Sequence, residues 1–200
     1  MKLYYSPGAC SLAVHITLRE VGMPFQLEKV DLKTKRTEHG VDYLEVNPKG
    51  SIPALRLDSG DVLTEAAACL QYVADTAPDK RLAPLAGTMA RYRLIEWLNY
   101  ISSELHKTFA PLFHDASPER REEVVATLRP RFDYVAQHLA SGDYLMGPDF
   151  TIADAYLYAV LNWTHFLKVD ISSWPQLGDF LARVARRGTV QEAKKAEHLG

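Results

Sequence analysis

The chain opens on a short apolar run, Leu3-Tyr4-Tyr5, that stops at Pro7-Gly8, the length and punctuation of a buried strand running into a turn. Residues 11–21 read as a helix, with Leu12, Ile16 and Leu18 giving it an apolar side and Gly22-Met23-Pro24 ending it. From Phe25 to Val30 apolar and polar positions alternate at first, as in a half-buried strand. Two strands joined by a helical crossover form a βαβ unit whose strands are parallel. Residues 34–46 are polar and weakly periodic, either a loose helix or an ordered loop. Asn47-Pro48-Lys49-Gly50-Ser51 is a turn. Residues 52–57, the turn Asp58-Ser59-Gly60-Asp61 and Val62-Leu63 spell an antiparallel hairpin, and Thr64 stands where it caps a helix through Val73.

After Ala77 the pattern changes. A charged, proline-containing segment, residues 78–87, reads as a linker. Beyond it strand patterns vanish, and helical periodicity runs over 88–113, 117–139, 151–167 and 174–187, with a short final helix. Ser117-Pro118-Glu119 places a cap and a proline at a helix start. Thr151-Ile152-Ala153-Asp154 has the form of a capping box, with Asp in place of Glu, and its reading is structural. The predicted architecture is an α/β domain over 1–77, with a mixed four-stranded sheet, followed by an all-helical domain over 88–200.

Composition narrows the function class. The chain has 200 residues, 47% hydrophobic and 24% charged, as in an ordinary globular protein with a real core. Its formal net charge of −2 argues against a nucleic-acid partner, which needs a basic face. No apolar run approaches the ~20 residues that span a bilayer. Pro7-Gly8 comes too early for a signal peptide, so no membrane role is expected and the cytoplasm is the expected location. The two cysteines, Cys10 and Cys69, form neither a C-x-x-C pair nor a disulfide framework, and no Cys/His cluster has zinc-ligand spacing. Cys69, inside an apolar helical run, reads as core.

Cys10 is the more informative thiol. At a strand-to-helix turn it is open to solvent, and the unpaired N–H groups and dipole of a helix start favour its thiolate. The alternative is a small apolar residue that falls in a turn. Further along, Pro53 holds Ile52 extended, and if Pro53 starts an edge-like strand the Ile52 N–H and C=O face outward, where an extended peptide can pair with them. The helix opening at Thr64-Glu65-Ala66 offers free N–H groups to an anion, and Glu65 adds a charge suited to an ammonium. A glutamate in a first turn also simply complements the dipole. Lys33, Lys35 and Arg36 are equal candidates for a carboxylate partner on charge. On the helix from Thr88, Asn99, Ser102 or Ser103, and His106 recur at three- or four-residue spacing, a polar stripe among Leu94, Trp97, Leu98, Ile101, Leu105 and Phe109. An imidazole there can donate to a thiolate near neutral pH, or it is a histidine satisfied by a core hydrogen bond. Alternation sends Tyr4 and Tyr5 to opposite faces of the first strand, with Tyr5 a candidate wall of the cleft. Tyr156, Tyr158, Trp163, His165 and Phe166 are core candidates, of which one or two are expected to line a pocket.

Together these segments resemble the glutathione transferases. Tyr5-Ser6-Pro7-Gly8-Ala9-Cys10-Ser11, Asn47 to Leu55 and Leu63-Thr64-Glu65 are similar to the family's thioredoxin-like half. Glu96 to Tyr100, Glu104-Leu105-His106-Lys107 and Phe150 to Asp154 are similar to its helical half. Cys10 with His106 resembles the bacterial beta class. The resemblance implies a cis bond before Pro53 and glutathione as co-substrate with no other cofactor or metal. It implies a glutathione site of Cys10, Lys35, Ile52, Pro53, Glu65, Ala66, Asn99, Ser103, Glu104, His106 and Lys107, with Cys10 and His106 catalytic. It also implies a homodimer and an apolar hollow for a small hydrophobic electrophile, with thiol–disulfide or peroxidase side activity through a mixed disulfide at Cys10. Two alternatives stand beside conjugation: a glutathione-dependent reductive dehalogenase of aromatic catabolism, and a non-catalytic binding or regulatory relative.

Overall fold

Alternation along the first strand, β1 (Lys2–Tyr5), sends Tyr4 to one side and Leu3 and Tyr5 to the other. Tyr4 packs with Val30, Tyr43, Val46 and Ala54, so residues 43–52 cover that face. Tyr5 turns its ring toward His15 of α1 (Ser11–Val21), which covers the opposite face. The computed structural model describes residues 1–199. β2 (Gln26–Asp31) runs parallel to β1, as the helical crossover requires. β4 (Ala54–Arg56) and β5 (Val62–Thr64) follow antiparallel on the other side. Gly22, with φ of 74°, closes α1 by donating to Arg19 and Leu18 carbonyls, a conformation open to glycine.

The sheet has five strands, not four, in the order β3-β2-β1-β4-β5. The added strand, β3 (Arg36–Thr37), pairs antiparallel with β2. Two residues are too few to display alternation, which hid it within the polar stretch 34–46. That stretch is an ordered loop, not a helix, apart from one 3-10 turn at Tyr43–Glu45 whose Leu44 N–H is capped by Asp42. α2 (Ala66–Asp75) starts one residue later than expected: Thr64 ends β5, and Glu65 holds the N-cap position with φ of 69°.

Two compact units emerge, Met1–Ala83 with the chain from Arg187 onward, and Pro84–Arg186. The expected division, 1–77 and 88–200 around a linker at 78–87, therefore differs at both ends. Residues 78–80 form a 3-10 turn within the first unit, and the final helix leaves the helical set for α1. The cause is burial and charge: Val190 and Ala193 of that helix are fully buried, Arg187 pairs with Glu20, and the Glu197 carboxylate reaches His15.

The second unit is helical throughout. α3 (Met89–Tyr100), capped by Thr88 on the Arg91 N–H, leads into a π-helical stretch at Ile101–His106. α4 (Lys107–Phe109) and a 3-10 turn at Ala110–Phe113 follow, so one expected helix over 88–113 becomes four segments. α5 (Pro118–Leu139) begins at the Ser117 cap. The expected helix 151–167 divides at Asn162 into α6 (Ile152–Leu161) and α7 (Trp163–Phe166). The Thr151–Asp154 capping box is present: Asp154 accepts from Thr151 N–H and Oγ1, both at 2.8 Å, and also from Leu145 N–H. α8 (Pro175–Ala185) completes this unit, while α9 (Gly188–Ala196) is the helix that packs on the first. Among the described residues no helix is long and apolar enough to cross a membrane.

Candidate active site

In the first unit β1 delivers the chain to a turn at residues 6–10, and Cys10 sits at the N-cap position of α1. Ser11 Oγ ties this turn together, accepting from Ser6 N–H and donating to Ser6 O, both at 3.3 Å. Gly8 N–H donates to Glu197 Oε2 at 2.9 Å. The other oxygen of Glu197 lies 2.8 Å from His15 Nδ1, and Arg19 Nε lies 2.9 Å from His15 Nε2. A guanidinium only donates, so Nε2 accepts and Nδ1 carries the proton toward Glu197. Glu197 and His15 are both buried. Glu197 had no sequence signal, because 189 residues separate it from Gly8.

Cys10 departs from expectation. Its side chain is buried, with the residue 5% exposed, and Sγ donates to the Ile52 carbonyl at 3.5 Å. Burial pushes the thiol up to about 12; its own N–H and that of Ser11 pull it down, and Glu65 pushes it further up. The helix-start donors foreseen for a thiolate are there, but desolvation outweighs them. The ligand-free protein therefore holds a protonated, shielded thiol. Cys69 is core as expected, donating to Leu63 O and raised to about 12, mainly by burial.

The loop before Pro53 is braced from several sides. Asn47 Nδ2 and Tyr43 OH both donate to Ser51 O at 2.7 Å, and Gly50 N–H donates to Asn47 O. Gly50 has φ of 62°, and a Cβ there would meet Leu44 Cδ2 at 3.1 Å, so conformation and space both favour glycine. Lys35 Nζ donates to Gly50 O at 2.8 Å. Of the three rival cations Lys35 is the one tied to this loop, since Arg36 donates to Gly40 O. The Ile52–Pro53 peptide is cis. Pro53 does not begin an edge strand: β4 lies between β1 and β5, and a proline just before a strand leaves both ladders intact. The Ile52 carbonyl accordingly turns inward to Cys10 rather than outward.

At the end of β5, Glu65 has a positive φ of 69° with ψ of 122°, uncommon for a residue with a side chain and a frequent mark of functional sites. No side chain caps α2, leaving its first N–H groups available, and Ala66 beneath them is buried. The Glu65 carboxylate is paired with Lys49 Nζ. Lys35, Ile52, Pro53, Glu65, Ala66 and Cys10 thus belong to one unit, linked through the 47–53 loop. Tyr5, the candidate wall, is buried against His15.

In the second unit the expected polar stripe resolves into two rows, because the wider π turns between Ile101 and His106 break the 3.6-residue repeat. Asn99, Ser103 and Lys107 are exposed, whereas Ser102 and His106 are half-buried. His106 Nδ1 lies 2.9 Å from Tyr156 OH, and its ring meets Trp163 edge-on at 4.9 Å. Phe109 and Phe113 pack edge-to-face on the same Trp163. Tyr156 and Trp163 are therefore the pair, among the aromatic candidates, that touch His106. Glu104 is committed elsewhere: Arg131 Nη2 donates to it at 2.6 Å and Ser103 Oγ at 3.4 Å. Among the described residues no group of three or more His, Cys, Asp or Glu is placed to hold a metal ion. Two open clefts, of about 450 and 510 Å³, involve none of these residues.

Comparison with known proteins agrees with this geometry. The family described as glutathione S-transferase, N-terminal domain, matches residues 8–76, and glutathione S-transferase, C-terminal domain, matches residues 100–188. The chain is 50% identical to Glutathione S-transferase GstA of Escherichia coli O157:H7, over 100% of both chains. A sphingomonad glutathione S-transferase solved in complex with glutathione superposes with a TM-score of 0.96 at 45% identity, over 100% of both chains. The bacterial beta class glutathione S-transferase of Sphingomonas chungbukensis gives 0.96 at 46% identity, again over 100% of both. Turn, cis-proline loop, uncapped helix start and family matches converge: the chain belongs to the glutathione S-transferase family, in its bacterial beta class.

Proposed function

We propose that this glutathione S-transferase binds glutathione extended along the 47–53 loop of the first unit and conjugates it, through its thiolate sulfur, to small hydrophobic, aromatic electrophiles. The observation that carries the reading is the uncapped start of α2 beside the Glu65 carboxylate. Free N–H groups there suit the α-carboxylate of the γ-glutamyl group, and Glu65 suits its ammonium. With its carbonyl turned to Cys10, Ile52 pairs with the cysteinyl residue through its N–H, and Lys35, after leaving Gly50 O, neutralises the glycyl carboxylate. A sphingomonad relative solved with glutathione supports the same co-substrate.

The reacting sulfur is the ligand's. In the reaction with a chloronitrobenzene a C–S bond forms, the C–Cl bond breaks, chloride leaves, and the thiol proton passes to solvent. Burial that keeps Cys10 protonated suits it to donate a hydrogen bond to the glutathione thiolate rather than to attack. Each pKa unit by which a site lowers the ligand thiol is worth about 1.4 kcal/mol. His106, its Nδ1 2.9 Å from Tyr156 OH, remains a proposed catalytic contact of the second unit, and the exposed Phe113, edge-to-face on Trp163 in that unit, favours contact with an aromatic electrophile. Asn99, Ser103 and Lys107 remain proposed glutathione contacts. Glu104, held by Arg131, is proposed only in a positioning role.

A homodimer is part of the proposal. Leu85, Met89 and Tyr92 are 74%, 70% and 59% exposed around the start of α3, an apolar patch suited to a second copy. Sedimentation at micromolar concentration should give twice the chain mass, and a monomer would count against it. The test of the function is retention on immobilised glutathione, release by free glutathione, and conjugation of a chloronitrobenzene. A folded protein that does neither sinks the reading.

A further inference from the structure

We infer that Lys49 is a built-in competitor for the ligand's ammonium, occupying the Glu65 carboxylate in the free protein and setting how much the amino group of the ligand contributes to binding. The inference rests on the glutathione reading above and goes beyond it, because Lys49 belongs to none of the proposed contacts.

Lys49 Nζ lies on Glu65 Oε1, with the two side chains 50% and 70% exposed. The backbones at both ends are held. Lys49 N–H donates to Asn47 Oδ1 at 3.2 Å, and the Glu65 carbonyl accepts from Ala68 and Cys69 N–H at 3.1 and 2.9 Å. Glu65, with its positive φ at the start of a helix, has its backbone direction set, and its exposed carboxylate reaches out from there. The longer arm of the pair is the four-carbon stem of Lys49, which can swing away while the carboxylate stays at the helix start. An ammonium arriving at Glu65 must share or displace a cation already there, so its net gain is the difference between two similar contacts. Lys35, the neighbouring cation, is engaged at Gly50 O.

Long-range attraction works the other way. Glutathione carries two carboxylates and one ammonium, so a lysine near its site favours binding through its field, and removing that lysine for this reason alone would weaken binding. Tightening on removal is therefore diagnostic of competition.

The experiment compares wild type with Lys49→Met and Lys49→Gln by calorimetric titration at low salt. The ligands are glutathione and its analogue with hydrogen in place of the amino group, glutaryl-cysteinyl-glycine. Both variants should bind glutathione roughly two- to fivefold tighter, the scale of an exposed ion pair, and the analogue no tighter than wild type does. In a Glu65→Gln background the Lys49→Met change should no longer tighten glutathione. Unchanged or weaker glutathione binding in the variants, or equal tightening of both ligands, overturns the inference while leaving the glutathione site standing. A wild-type protein that binds no glutathione overturns the site, and this inference with it.

Discussion

Iodoacetamide should barely touch Cys10 in the folded, ligand-free protein. The thiol rises from 9.0 to about 12 because burial desolvates it, with the two helix-start N–H groups opposing and Glu65 adding to the rise. At pH 8 an unperturbed thiol of that kind is about one-tenth thiolate, and one raised to about 12 is about one part in ten thousand. The alkylation rate should fall about a thousandfold, equivalent to roughly 4 kcal/mol against the charged form. The assay is mass-spectrometric counting of alkylated cysteines over time, with Cys69→Ala to isolate Cys10 and a urea-unfolded control to set the unhindered rate. Between pH 7 and 10 the rate should climb close to tenfold per unit without levelling, because the thiol never approaches its midpoint. Labelling that levels off below pH 9, at a rate near the unfolded control, would mean that the helix start wins over burial and would refute the argument.

Other consequences can be measured in parallel. Glu197→Ala removes the acceptor of the buried Gly8 N–H and of His15, and should destabilise the first unit by about 2–4 kcal/mol in urea titration, two unmade buried bonds at ~1–3 kcal/mol each less some relaxation; a loss below ~0.5 kcal/mol would make the contact incidental. Asp154 carries a pH signature: burial raises it from 3.8 to about 6 against the four donors that hold its charged form. Its folded-state pKa lies above the unfolded one, so its contribution is fully present below pH ~4 and is lost as pH rises through about 6. The stability difference between wild type and Asp154→Asn should drift by up to about 3 kcal/mol across that window, and a flat difference contradicts it. Glu65→Ala should weaken glutathione binding more than Cys10→Ala does, and the reverse ranking would relocate the main anchor to the thiol.

Much of the site was legible because its parts are local. A proline after Ile52, a turn signal around Gly50, and a glutamate at a strand-to-helix junction are marks within about fifteen residues of one another. The expectation about Cys10 failed for a non-local reason. A helix start favours thiolate in the open, but this thiol is buried and donates to the carbonyl of Ile52, 42 residues away. Along the polar stripe burial is uneven, with Asn99, Ser103 and Lys107 exposed and Ser102 and His106 half-buried, and the π stretch departs from the 3.6 residues per turn that periodicity assumes. Likewise the two-residue β3 has no pattern to read, and Glu104 looked available until Arg131, 27 positions on, took its carboxylate.

By itself, then, the sequence determined the βαβ start, the hairpin, the helical second half, the caps at Ser117 and Thr151 and the identity of the Ile52–Pro53 and Glu65 segments. Each follows from hydrogen bonds, backbone preferences and burial patterns spanning about thirty residues or fewer. The tertiary structure alone decided that the last helix belongs with α1, that Glu197 braces the turn before Cys10, that this thiol is protonated and that Lys49 sits on Glu65. Those outcomes depend on desolvation and on charges meeting across tens to nearly two hundred residues, and neither is encoded in local spacing.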